Sequence, residues 1–313
     1  MPLSIDAGGA LAWQRLAVVN KHTRDDRIQF NEEEHSYAID GVKKGWSSCT
    51  QFLHHFFGHF DPDATIAKMM RSPNWIKSKY YGKTAETIKA EWAASGAEAS
   101  GAGTRMHLDI EHFYNSSELS VASMKRDDDW VPNASPEWEM FMAYQAKVGS
   151  KMTPWRTEWL VFNEEFKLAG SIDMLYKKPS GKYAIYDWKR AKEIKTENRY
   201  QSGLGPIMHL PDTNYWHYSL QLNVYRMILK QKYDIDVDEM ALVILHPINT
   251  SWRVIKVNIM EEEIDAMFGC RARALQISGN DGSDPAVVFD GADHADIDQG
   301  PLTAAPTAWM GSD

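Results

Sequence analysis

The segment Leu168–Ile194, LAGSIDMLYKKPSGKYAIYDWKRAKEI, decides how this 313-residue chain is read. Two runs with β character, GSIDMLY and YAIYDWK, flank the turn KKPSGK, which predicts a hairpin. Each run carries an aspartate, Asp173 and Asp187, and the second adds Lys189. Asp is depleted in strands, and a buried charge is costly unless it is paired or bound to a metal. Asp187 and Lys189 are two residues apart and face the same side of their strand. A turn centred on Pro179–Gly181 puts Asp173 across the ladder from them. Upstream, TEWLVF offers Glu158 on a third strand. Carboxylates converging on one sheet repel one another unless a divalent cation lies among them, and hard oxygen donors suit Mg2+ or Mn2+. A lysine beside them could orient or deprotonate a water, or steady charge on a phosphate. The competing reading is a surface salt bridge between Asp173 and Lys189.

Outward from the hairpin, RIQFNEEEHSYAIDG predicts a small β-hairpin with Asp40-Gly41 as a turn. SSCTQFLHHFF predicts a helix capped by Ser48, and DPDATIAKMMR one capped by Asp61 with Pro62 in its first turn. TAETIKAEWAAS predicts a helix, and ASGAGTRMHLDIEHFYN a glycine-rich entry into another. Asp127–Pro136 has loop composition, and SPEWEMFMAYQAKVG predicts a helix. Strands then run from Pro154 to Lys189, a helix from about Asn214 to Lys232, a second hairpin through MALVILHP and WRVIKVNI, and a last helix through EEEIDAMFGCRARALQ. This order predicts an α/β (α+β) fold, a central mixed sheet flanked by helices, with a helical N-terminal section.

The net charge of −9 argues against a nucleic-acid partner only if it is evenly spread. Ser278–Asp313 holds seven Asp and no Lys or Arg, so the rest of the chain carries −2 and has room for a basic groove. The Gly/Pro/Ala/Asp composition of that tail reads as disordered. Cys49 and Cys270 are the only cysteines; they cannot supply a four-cysteine iron–sulfur or zinc site and suggest a reducing compartment. The sequence holds no apolar run of membrane-spanning length, and its N-terminal stretch is not expected to act as a signal peptide. The expected location is cytoplasmic, or a host nucleus for a viral protein.

The motifs GSID and YDWK, with Asp173, Asp187 and Lys189 in place, resemble the PD-(D/E)XK nuclease superfamily. More narrowly the chain resembles its RecB-type and lambda-exonuclease-like branch, of the phage or large DNA virus type. That branch places Gly-x-x-x-His on an upstream helix, matched by Gly103 and His107, and Gln-x-x-x-Tyr on a later one, matched by Gln221 and Tyr225. The motifs stand in the family's order between Ala102 and Ile228. One departure is Arg190-Ala191-Lys192 after the lysine, where the family often has Thr and then Gly or Lys.

The resemblance implies a restriction-endonuclease-like core over residues 102–277, preceded by a section (1–101) that roofs the active site and followed by the acidic tail (278–313). It implies Mg2+ or Mn2+ as cofactor, with His107, Asp173 and Asp187 as ligands. Asp173, Asp187, Lys189 and Glu158 would act in catalysis, and Glu111, one turn after His107, would orient the site. Gln221, Tyr225, Arg190 and Lys192 would contact substrate, within a basic run that continues through Lys195 and Arg199 and could include the turn lysines Lys177, Lys178 and Lys182. Solvated charge and ordinary helix packing are the competing readings. One or two aromatics of NWIKSKYYGKT could reach substrate. The expected partner is DNA, as double-stranded ends or a single strand, with a recombination or replication protein as a further partner. The expected activity is an exonuclease acting at DNA ends in recombination, repair or viral DNA processing. The alternatives are an endonuclease of the same fold and a catalytically inactive DNA-binding version.

Overall fold

A computed structural model describes residues 15–115 and 134–278. The loop expected at Asp127–Pro136 falls mostly outside these residues, as does the acidic tail. In chain order the elements are α1 (Arg15–Val19), β1 (Ile28–Asn31), β2 (Ser36–Ile39), β3 (Ser47–Ser48), α2 (Cys49–His54), α3 (Pro62–Arg71) and α4 (Ala85–Asn115). There follow α5 (Pro136–Lys147), β4 (Thr153–Asn163), β5 (Leu168–Lys177), β6 (Tyr183–Lys189), α6 (Asn214–Lys232), β7 (Val237–Ile244), β8 (Arg253–Val257) and α7 (Glu261–Ser278). The fold is mixed α/β, with a central mixed sheet flanked by helices.

Local chemistry sets several of these ends. Ser48 and Gln51 form a reciprocal capping box at α2. Asp61 accepts the Ala64 amide at the head of α3, and Pro62 opens the first turn, where no amide donor is needed. Asp40 and Gly41, both at positive φ, close a tight turn between Ile39 and Val42, which exchange two backbone hydrogen bonds.

α4 departs from expectation. The two helices read from the sequence are one helix of 31 residues, and the glycine-rich stretch lies in its middle. Each glycine costs about 1 kcal/mol relative to alanine. The C-terminal half outweighs this by burying Met106, Ile110, Phe113 and Tyr114, since tertiary packing supplies most helical stability. The domain boundary expected at 101/102 therefore falls inside a helix. The N-terminal section is also joined to the sheet: Ser47 and Ser48 pair in parallel with Leu168 and Ala169 of β5, and Cys49, Phe52 and Phe56 sit in the main core.

The topology of β5 creates the site. One edge pairs with β4 over nearly its whole length. The other edge is shared: β3 covers Leu168–Ala169, and β6 covers Met174–Lys177. Residues 170–173 lie in the gap between these two partners. Beyond β6 the sheet continues with β7, parallel, and β8, antiparallel. One core packs the sheet against α2, α6 and α7 through residues such as Phe52, Leu222, Ile244 and Phe268. A second packs the other face against α4 and α5 through Phe113, Phe141, Tyr144 and Trp188.

Candidate active site

The gap beside β5 is where sequence and backbone part from regular sheet geometry. Thr157 pairs with Met174 and Trp159 with Ile172, but Glu158 and Asp173 between them are left out of the ladder. Glu158 has φ 41, a left-handed conformation that costs a non-glycine residue about 1–3 kcal/mol and persists where the surroundings enforce it. Ile172 packs in the core beneath α6 and Met174 in the core beneath α4. Two residues that would share a face in a regular strand thus face opposite ways, and Asp173 sits at the switch. Its Oδ2 accepts the Trp188 amide of β6 at 2.9 Å.

His107 of α4 reaches into this opening. Its Nδ1 lies 3.3 Å from Glu158 Oε1 and 3.6 Å from Asp173 Oδ2. Its Nε2 is 3.0 Å from the Trp188 carbonyl. A carbonyl only accepts, so Nε2 carries a proton and donates it, and Nδ1 is the nitrogen presented to the carboxylates. Burial alone would lower the imidazole pKa, but Asp173 and Glu158 outweigh burial and push it up to about 9. Without a metal, His107 is therefore a cation between two carboxylates. Ser171, two residues before Asp173, donates to the other Glu158 oxygen at 3.0 Å.

These three residues fit a hard divalent cation. One imidazole nitrogen and two carboxylate oxygens, with no thiolate, lie within 4.8 Å of one another. Such a set suits Mn2+ or Mg2+, and the Trp188 carbonyl fixes the imidazole as an outer partner of a metal ligand does. The cluster differs from the expected ligand set in one member. Glu158 stands in it, whereas Asp187 is not part of this close cluster.

Asp187 is buried and paired with Lys189, Nζ to Oδ2 being 2.7 Å. The two face the same side of β6, while Trp188 between them is buried on the opposite face. Burial and the nearby Asp173 push the Asp187 carboxyl up to about 6 despite the opposing lysine. Burial also raises the pKa of Asp173, against the pull of His107. Burial would lower the Lys189 pKa, but Asp187 and Asp173 hold it above its ordinary value. Lys189 is thus a fixed ammonium, and its Nζ stands 4.7 Å from the ring centre of Tyr218 on α6, a favourable cation–π contact.

The remaining expected residues are placed as follows. Glu111 lines a cavity of about 170 Å³ with Asn115, Arg156, Thr157 and Glu158, next to the cluster. Gln221 donates to Thr50 of α2 and to the Tyr225 hydroxyl, both at 3.2 Å. Tyr225 itself is buried; its ring packs so closely on Gly170 that a Cβ there would lie 2.6 Å from it. It supports the site from below and is not an exposed substrate contact. Arg190 is likewise corrected. Its Nε donates to Glu137 of α5 at 2.6 Å, and both side chains are largely buried, so it ties α5 to the end of β6. Lys192 is exposed. Of the turn lysines, Lys178 pairs with Asp238 and Glu239, Lys182 with Asp236, and Lys177 lies over the Trp155 ring at 4.8 Å.

Ser171 and Tyr218 were missed as site residues. Ser171 stands two residues before Asp173, and Tyr218 one helical turn before Gln221; spacing from a recognised motif residue was the available signal.

No family model matches the chain, and no curated protein matches it. Among solved structures it is similar to a candidate exonuclease from Eubacterium rectale, at 12% identity and a TM-score of 0.30. That match covers 45% of this chain and 50% of the other. The likeness is too distant to transfer any residue's role, so the functional reading rests on the site itself. Among the described residues no helix is long and apolar enough to cross a membrane.

Proposed function

We propose that this chain is a metal-dependent nuclease that hydrolyses the phosphodiester bonds of DNA. The observation that carries the reading is the convergence of His107, Glu158 and Asp173, from three separate elements, beside the Asp187–Lys189 pair. A structural ion pair needs neither a left-handed glutamate nor a break in the ladder. A bound Mg2+ or Mn2+ would supply electrophilic assistance and a lowered pKa for water at the reacting phosphorus.

The protein's own residues do the rest. Glu158, Asp173 and the Nδ1 of His107 would hold the cation, with Ser171 and the Trp188 carbonyl fixing their orientation. Lys189, kept protonated by Asp187, presents a positive charge to the phosphate as negative charge builds on its oxygens. An ammonium so held is a poor general base, which favours the electrostatic role over the proton-accepting one. Lys192, exposed beyond the end of β6, is available to a phosphate further along the strand.

The same reading takes residues 102–277, completed by β3 and α2 of the N-terminal section, as the catalytic core and an exonuclease acting at ends as the form of the activity. Incubation with Mg2+ of linear, nicked and covalently closed forms of one plasmid tests it. Linear DNA is expected to shorten while closed circles survive, and Asp173→Asn to lose all turnover. Closed circles cut as fast as linear DNA would establish an endonuclease. Full activity in excess chelator, or in Asp173→Asn, would overturn the site assignment.

A further inference from the structure

Between Ala64 and Ala85 the sequence contains Lys68, Arg71, Lys77, Lys79 and Lys83 and no carboxylate. The segment runs from α3 through a 3-10 turn, Trp75–Lys77, to the start of α4, and it is tightly held. Ser72 caps α3 and its backbone accepts the Trp75 amide. Trp92 of α4 donates to the Tyr80 hydroxyl at 2.8 Å, and Ile66 and Ile88 are buried. Lys83 is engaged with Glu91. Lys68, Arg71, Lys77 and Lys79 point to solvent. Beside them Ile76 is 67% and Tyr81 57% exposed, and the Tyr81 ring stands edge-on to Trp75 at 6.0 Å. Ala64, Ala67, Lys68, Arg71 and Ser72 line an open hollow along α3.

We infer that this surface is a docking site for single-stranded nucleic acid, separate from the candidate metal site. The cations neutralise the phosphates of the strand, and Tyr81, presented by a rigid turn, stacks an unpaired base. Charge complementarity selects a polyanion, and the exposed ring beside the cations selects one with accessible base faces. The surface is joined to His107 through α4. Trp92, which anchors it, and His107 lie on the same helix fifteen residues apart, about 22 Å at 1.5 Å per residue. A strand at a stacked spacing of about 3.4 Å covers that distance with about seven nucleotides. A long strand engages both sites, and a trinucleotide engages one.

The occupant's chemistry rests on the nuclease reading; the test does not, because it reads binding in chelator. Fluorescence anisotropy follows labelled single strands of three and twenty nucleotides on wild type, Tyr81→Ala and Arg71→Ala/Lys77→Ala. Tyr81→Ala is expected to weaken the twenty-nucleotide strand at least about five-fold, the lower end for one stacked base. The double variant is expected to lower the slope of log affinity against log salt by about 1.4, at about 0.7 per phosphate contact. The trinucleotide, which reaches one site at a time, should bind wild type more weakly than the long strand, and melting temperatures should not move, since these side chains are exposed. Unchanged long-strand affinity and slope in the variants would overturn the inference, as would equal competition by duplex or no single-strand binding by wild type. Hydrolysis of a short phosphodiester with Mg2+, run in parallel, keeps the two readings apart: hydrolysis with insensitive binding sinks only the docking surface, and length-dependent binding without hydrolysis sinks only the nuclease reading.

Discussion

Replacing Lys189 by methionine keeps most of its volume and removes its charge, leaving Asp187 buried without the ammonium 2.7 Å away. Breaking a buried pair from one side generally costs about 3–5 kcal/mol. Here protonation limits the loss. The Asp187 carboxyl already sits at about 6 with its lysine present; without it, the carboxyl moves higher and takes up a proton. At pH 7.5, about 1.5 units above 6, the cost of holding that proton at about 1.4 kcal/mol per unit is about 2 kcal/mol. For a chain of this size, with an unfolding entropy of about 2.1 cal/mol/K per residue, that corresponds to a melting temperature lower by about 3–4 °C. The sign follows from linkage. A carboxyl whose folded pKa lies above its unfolded value makes stability fall as pH rises from about 4 to its folded pKa, and leaves it level above. In wild type this fall ends near 6; in Lys189→Met it continues upward. The two proteins should therefore melt together at pH 5.5 and separate progressively above pH 6. Asp187→Asn added to Lys189→Met should close the gap. Scanning calorimetry from pH 5 to 8.5 makes the comparison. A gap that is constant with pH, or a double variant no more stable than Lys189→Met at pH 7.5, would refute the coupled buried pair.

The other expectations are more local. Gly170→Ala drives a Cβ to 2.6 Å from Tyr225 Cε1 and should lower stability by about 1–3 kcal/mol, as overpacking does; an unchanged urea midpoint would contradict the close approach. Mn2+ affinity should rise between pH 6.5 and 8.5, because the His107 imidazole, pushed up to about 9, must release its proton to offer Nδ1. Calorimetry in two buffers of different ionisation enthalpy should find close to one proton released in wild type and less in His107→Gln, and equal release from both would contradict it. Arg190→Ala should cost about 3–5 kcal/mol by stranding the buried Glu137, and Glu137→Gln should restore part of that loss; a stable Arg190→Ala protein with weakened DNA binding would return Arg190 to the substrate surface.

Much of the site was legible in the hairpin because Asp173, Asp187 and Lys189 violate strand composition there. Glu158 was legible for the same reason, one strand earlier. Its left-handed backbone was not, since nothing in TEWLVF marks a residue that the ladder will omit, and so the closest cluster contains Glu158 where the sequence favoured Asp187. The burial of Arg190 and Tyr225 was not legible because their partners are remote in sequence: Glu137 lies on α5, and Gly170 on a strand some fifty residues earlier. The two-residue strand β3 has no periodicity to read, yet it closes one end of the gap beside β5. The single helix α4 was read as two because glycine's local cost was visible and the packing that outweighs it was not.

His107, Glu158 and Asp173 together are proposed to hold a divalent cation. Anomalous diffraction from crystals soaked in Mn2+ tests it most directly. The expected result is a peak coordinated by His107 Nδ1 and by oxygens of Glu158 and Asp173, lost in Asp173→Asn crystals soaked identically. A site left empty by Mn2+, with His107 still bonded to Glu158, would contradict it.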